Sequence, residues 1–227
     1  ILYLSARRKN LYPVYILLLI MIWHVIIQKM HMGAAGRMNT GWFTDETGTY
    51  YLNPVGGHAL IGQNIIDKAG YMFDERGAML SGWQTVGPFK FYYNPLDGNR
   101  MLTGWFDDLN GRYYFSPLDG HMMTGYTPIG KENYYFNEEG LMQRGIVDIL
   151  GSKFYFDPLS GAQQTGFISD GVNRYYFTPM GGQMLTGLQP IDGNVYYFNE
   201  KGHMQVGLQT IGGLTYYFDP MTGQMLT

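Results

Sequence analysis

The chain has 227 residues, among them 32 glycines, 20 tyrosines and 13 phenylalanines, with only 15% charged residues and no cysteine. So aromatic a composition excludes a disordered chain, and the lack of cysteine excludes a disulfide framework and thiolate metal sites. Arg7, Arg8, Lys9 and Lys29 are the only charges before residue 32, so the remainder carries eleven basic against eighteen acidic residues, without the basic footprint that nucleic acid requires.

Taken in chain order, the first element is apolar. Leu11 to Ile27 reads LYPVYILLLIMIWHVII and comes directly after Arg7-Arg8-Lys9 and Asn10. A basic flank before an apolar run favours export of the downstream chain, with the basic end left behind. Residues 1–32 are therefore predicted to hold one hydrophobic helix. It serves either as a signal, with Gly33-Ala34-Ala35 suited to cleavage, or as a membrane anchor if uncleaved.

From Gly41 onward a unit of about 21 residues recurs nine times, the mark of an architecture that stacks copies of one small element. Each unit opens with Gly. It then carries an aromatic triplet, such as Tyr113-Tyr114-Phe115 or Tyr134-Tyr135-Phe136, a turn, and a closing segment such as Gln183-Met184-Leu185-Thr186. Aromatic triplets favour strands, in which the first and third residues share a face. The turn and the closing segment then predict a β-hairpin built from the triplet strand and the strand after it. A lone hairpin is marginal in water, so neighbours must cover it.

The turns have two lengths. Units two, five and eight carry a short form, as in Asn137-Glu138-Glu139-Gly140, whereas the other six are longer and contain Pro54, Pro95, Pro117, Pro158, Pro179 or Pro220. The order long, short, long gives a superperiod of three units. The expectation is an all-β solenoid of about nine stacked hairpins, roughly three per superhelical turn, over residues 36–227. A methionine slot (Met79, Met101, Met122, Met142, Met184, Met204, Met225, with Ala59 and Gln163 as exceptions) is read as packing between hairpins. Methionine fills irregular gaps and meets ring edges well. Some of these thioethers are candidates to line a ligand groove.

Catalytic and metal chemistry find little support. The carboxylates Asp74, Asp97, Asp119, Asp157 and Asp219 stand in turns, which their chemistry explains. The adjacent acidic pair Asp107-Asp108 begins a loop and lacks the converging partner that a glycosidase needs. His58, His121 and His203 share one slot in units whole turns apart. There is no phosphate-binding loop, EF-hand loop or nucleophile elbow. No cofactor, metal or catalytic residue is expected.

In its recurring order Gly-Trp, Tyr-Tyr-Phe-Asn, Gly-x-Met-x-Thr-Gly, the stretch 36–227 resembles the cell-wall-binding repeat family. That family includes choline-binding modules, the glucan-binding repeats of glucosyltransferases and the C-terminal repeats of large clostridial toxins. The resemblance implies a solenoid of hairpins and a non-catalytic binding role, secreted or at the surface of a Gram-positive bacterium. It also implies ligand cages between successive repeats, built from the Trp after the opening Gly, the Trp of the next unit and an aromatic of the hairpin strand. The residue after the opening Gly runs Trp42, Gln63, Trp83, Trp105, Tyr126, Ile146, Phe167, Leu188, Leu208. Only Trp83, Trp105 and Tyr126 are consecutive aromatics. They are the candidate ligand residues, with Tyr92, Tyr114 and Met101 beside them.

Where choline-binding repeats often carry another Trp, before the Tyr-Tyr pair, this chain has Thr49, Lys90, Arg112, Asn133, Lys153, Arg174, Val195 and Thr215. A Lys or Arg at a cage wall repels a cation. Three readings stay open: a module for cell-wall polysaccharide, glucan or host carbohydrate, a module for choline-bearing teichoic acid, and a structural or adhesive stalk binding a protein. If ligand sits at the predicted cages, Trp83→Ala or Trp105→Ala weakens binding more than Leu188→Ala does.

Overall fold

The computed structural model describes residues 38–226. The apolar leader predicted over residues 1–32 lies outside them, and among the described residues no helix is long and apolar enough to cross a membrane. The regular structure of the described chain is β-strand, apart from one short 3-10 turn at Pro95–Asp97.

Nine antiparallel hairpins succeed one another. Their strands are Gly41–Asp45 with Gly48–Leu52, Gly62–Ile66 with Ala69–Phe73, Gly82–Val86 with Phe89–Asn94, and Gly104–Asp107 with Arg112–Phe115. Next come Gly125–Ile129 with Glu132–Phe136, Gly145–Ile149 with Ser152–Phe156, and Gly166–Ser169 with Arg174–Phe177. The last two are Gly187–Ile191 with Asn194–Phe198 and Gly207–Ile211 with Leu214–Phe218. In this order they are hairpins 1 to 9.

The pairing differs from the sequence expectation in one respect. The main partner of each triplet strand is the strand before it, opened by Gly-Trp or its equivalent, as in Trp42↔Tyr51 and Trp83↔Tyr92. The closing methionine segment adds only a narrow third arm. It is a two-residue strand at Arg100–Met101, Gln163–Gln164 and Met225–Leu226, and elsewhere a single bridge such as Phe136↔Met142. Loop chemistry explains the choice. Several hairpins close through two residues that both have positive φ, such as Asp67-Lys68 (49° and 68°), Leu150-Gly151 (53° and 83°) and Asp192-Gly193 (50° and 79°). That geometry matches the twist of the flanking strands.

Leu150 is the least suited residue in these loops, being fully exposed and held at a φ where a branched side chain is strained. Leu150→Gly is expected to raise stability by up to about 1 kcal/mol, read as a higher urea midpoint. An unchanged or lower midpoint would count against strain at this loop.

The two turn lengths are real. In long turns the closing glycine donates its N–H to the carbonyl four residues back, as Gly57 to Asn53, Gly161 to Asp157 and Gly223 to Asp219. In the short ones the reach is three, as Gly77 to Asp74, Gly140 to Asn137 and Gly202 to Asn199. The leading Asn or Asp also turns its carboxyl or amide oxygen back onto the loop, as Asn53 Oδ1 accepts from Val55 N and Gly56 N. This is the reason Asn and Asp lead these turns.

The described residues form two compact units. One runs to Gly104 and includes Phe115–Met122. The other holds Trp105–Tyr114 and continues from Met123. Within each, the core is the third residue of every triplet: Leu52, Phe73, Tyr93 and Phe115 in the first, Phe136, Phe156, Phe177, Phe198 and Phe218 in the second, all essentially without solvent contact.

Backbone bonds at five methionine slots tie a hairpin to the one before it. Met79 N donates to Thr49 O, and Met122 N to Lys90 O, in the first unit. Met142 N to Arg112 O, Met184 N to Lys153 O and Met204 N to Arg174 O repeat the link in the second. The methionine side chain then lies on the turn glycine of the next repeat. A Cβ built on Gly161 would stand 2.5 Å from Met142 Cε, and one on Gly223 2.5 Å from Met204 Cε. Glycine is needed there both for this contact and for its φ of +77°. The slot residues therefore pack between hairpins, as the sequence suggested.

Candidate functional site: aromatic seams between hairpins

The strand alternation that buries the third triplet residue sends the middle one to the opposite face, beside the residue after the opening glycine. Trp42 lies across from Tyr51, Trp83 from Tyr92 and Phe167 from Tyr176. The first triplet residue of the next hairpin then approaches the same ring.

The result is clearest at Trp42. Its indole has Tyr51 at 5.1 Å between centroids (81°) and Tyr71 at 4.9 Å (70°), with Phe73 behind at 6.4 Å. Two tyrosine rings stand edge-on to one tryptophan, giving three aromatic walls. Trp42 keeps 44% of its surface exposed, so the box is open to solvent. Among the described residues no cation stacks on Trp42. Thr49 occupies the strand position where other repeats carry Lys or Arg, and its Oγ1 lies 3.1 Å from Thr44 Oγ1. Arg100 lies close to Tyr71, and its guanidinium is paired with Asp97 at 3.4 Å.

The same construction recurs at Trp105, with Tyr114 at 4.9 Å, Tyr134 at 5.0 Å and Phe136 at 6.1 Å. It recurs again at Phe167, with Tyr176 at 4.7 Å and Tyr196 at 5.1 Å. In these two seams a guanidinium already lies over the ring: Arg112 at 5.6 Å from the Trp105 centroid and Arg174 at 5.3 Å from that of Phe167. Trp83 has Tyr92 at 5.2 Å and Phe115 at 5.6 Å. Trp83 and Trp105 are 41% and 39% exposed, so neither seam is sealed.

Of the residues singled out by sequence, Trp83 meets Tyr92 and Trp105 meets Tyr114. Tyr126 takes a different role: its hydroxyl donates to Gln163 Oε1, and the ring contacts of Trp105 do not include it. Met101 is a packing residue, its thioether lying against the positions of Gly70 and Gly120. Trp42, Tyr51, Tyr71, Tyr134 and Tyr196 were not singled out. The signal that finds them is the first residue of the next triplet, not the residue after the next opening glycine.

The acidic pair is committed elsewhere. Asp107 takes a bidentate bond from Arg112 (Nε at 2.7 Å, Nη2 at 2.9 Å), which holds its carboxyl below the usual range. Asp108 accepts from Asn110 N and Gly111 N. His121 Nδ1 is 2.7 Å from Asp119, and His203 lies edge-on to Tyr175. Among the described residues no group of three or more His, Asp or Glu is disposed to hold a metal.

Residues 123–166 and 185–227 match the choline-binding repeat, and residues 40–56 match the putative cell wall binding repeat. No curated protein matches the sequence. Among solved structures, CbpJ from Streptococcus pneumoniae TIGR4 is similar with a TM-score of 0.68 and 23% identity, over 84% of this chain and 82% of that one. The choline-binding domain of CbpL from Streptococcus pneumoniae is similar with a TM-score of 0.60 and 20% identity, over 84% and 98%. CbpF from the same organism, determined with a peptidoglycan analogue, gives a TM-score of 0.53 and 20% identity, over 84% and 87%. At these identities the likeness concerns the fold, and the repeat matches carry the assignment for the residues they cover: 123–166 and 185–227 are of the choline-binding repeat type, and 40–56 of the putative cell wall binding repeat type.

Proposed function

We propose that the chain is a non-catalytic surface module that attaches to choline-bearing cell-wall polymer through its aromatic seams, with the Trp42, Tyr51, Tyr71 box as the principal choline site. A quaternary ammonium cannot be hydrogen-bonded, so it is held by ring faces, of which indole is the best. The observation that carries this reading is the combination at Trp42: three aromatic walls near 5 Å, solvent access, and threonine where other repeats place a cation. The peptidoglycan analogue present with CbpF is consistent with a wall polymer as the larger target.

The seams of hairpins 6 and 8 favour a second, weaker partner. Each sets an aliphatic residue opposite one tyrosine, Ile146↔Tyr155 and Leu188↔Tyr197. A pyranose ring needs only one such platform and polar rim groups, so wall glycan can lie along them. Within each unit the links at the methionine slots support hairpins stacked in succession on their neighbours. Placement at a Gram-positive surface belongs to the same proposal, by export through the apolar leader.

The experiment is a choline titration of the full chain by isothermal calorimetry, with elution from a quaternary-amine resin by free choline. Saturable heat and elution are expected. No heat, together with capture on purified wall glycan, would replace choline by carbohydrate as the ligand.

A further inference from the structure

The seam at Trp105 has the walls of a cation cage and a cation of its own. Arg112 and Tyr114 are two apart on one strand and so share a face. Both therefore project on the side where Trp105 stands. The guanidinium centre is 5.6 Å from the indole centroid, inside the range of a cation–π contact. Asp107 fixes it there through two parallel bonds of 2.7 and 2.9 Å. A planar fork held by a carboxylate is pre-organised and is given up reluctantly. Hairpin 7 repeats the stacking, with Arg174 over Phe167 at 5.3 Å and its guanidinium bonded to the Met221 carbonyl.

From this geometry we infer that Arg112 is a built-in occupant of the Trp105 cage, a specificity residue that excludes choline from an otherwise complete site. Such a gate rests on the choline reading of the Trp42 seam and adds to it the residue that closes a second one. A quaternary ammonium must take the same ring faces and meets a fixed positive charge instead. Thr49 is the counterpart in hairpin 1, where the box is open. The difference between an open and a closed seam is thus one residue on the triplet strand.

The test uses the full chain and choline chloride. Arg112→Thr copies hairpin 1 into hairpin 4 and is expected to add one binding site, with an affinity within about tenfold of the Trp42 site. Asp107→Asn leaves the arginine but loosens it, and is expected to add the same site more weakly. In a Trp42→Ala background, where the first site is crippled, Arg112→Thr is expected to restore binding together with a change in Trp105 fluorescence. An unchanged number of sites in a folded Arg112→Thr variant, with the thermal midpoint of the parent, would overturn the inference, as would loss of binding, which would make Arg112 part of the grip. These outcomes separate the two proposals. A parent that binds with no gain in the variant sinks only the gate. A silent parent with a binding variant sinks only the Trp42 site, and silence in both sinks both.

Discussion

Phe136→Ala is expected to lower the unfolding free energy of its unit by about 3–5 kcal/mol, the range for removing a fully buried phenylalanine. Phe136 has no solvent contact. It pairs with Gly125 in its own hairpin and bridges to Met142 in the closing arm. It also lies 6.1 Å from Trp105 of the preceding hairpin. Its strand neighbour Tyr135 stacks in turn on Phe156 of the next hairpin at 6.2 Å. One truncation therefore loosens its own hairpin, the closing arm and the seam with the preceding hairpin. Because an array is stabilised through nearest neighbours, the urea transition is expected to shift and to broaden. Leu118→Ser, at a fully exposed turn tip, serves as the contrast and is expected to stay within about 0.5 kcal/mol of the parent. Equal effects from the two substitutions would contradict a core made from the third triplet residues.

Trp42→Ala is expected to weaken choline binding five- to thirtyfold, from the loss of about 1–2 kcal/mol of cation–π attraction at a partly desolvated site. The cost to stability is expected to be smaller, since the indole is 44% exposed and its neighbours Tyr51 and Tyr71 keep their own strand contacts. Leu188→Ala, at a seam with an aliphatic wall, is expected to leave choline affinity within about twofold. Calorimetry of the three proteins, with thermal midpoints measured alongside, decides the matter. Parallel loss of affinity and midpoint in both variants would mean general unfolding and not loss of a site.

Much of this was legible in the sequence because strand alternation is a local rule. Alternation puts the first and third triplet residues on one face, and all nine third residues prove to be buried. The two turn lengths could be read from Asn, Asp, Pro and Gly, and both appear as distinct backbone closures. The methionine slot was read as packing for the right reason, an unbranched side chain filling the gap between hairpins. What alternation cannot supply is the neighbour across a seam. The cage at Trp42 is closed by Tyr71, a residue in the next hairpin whose face is known but whose partner is not. For the same reason Tyr126 looked like a third wall for Trp105, and its hydroxyl instead meets Gln163 across the stack. The hairpin pairing was misassigned because two segments flank each triplet and both are apolar. The positive-φ pairs in the short loops, such as Asp67-Lys68, decide between them, and non-glycine residues disguise that signal.

The most direct measurement is a crystal structure of the chain with choline. The trimethylammonium group is expected against Trp42, Tyr51 and Tyr71, within about 6 Å of each ring centroid, with Arg112 still stacked on Trp105 and no choline there. Choline absent from the Trp42 seam, or seated at Trp105 with Arg112 displaced, would contradict a cation gripped by rings at the tryptophan seam that threonine leaves open.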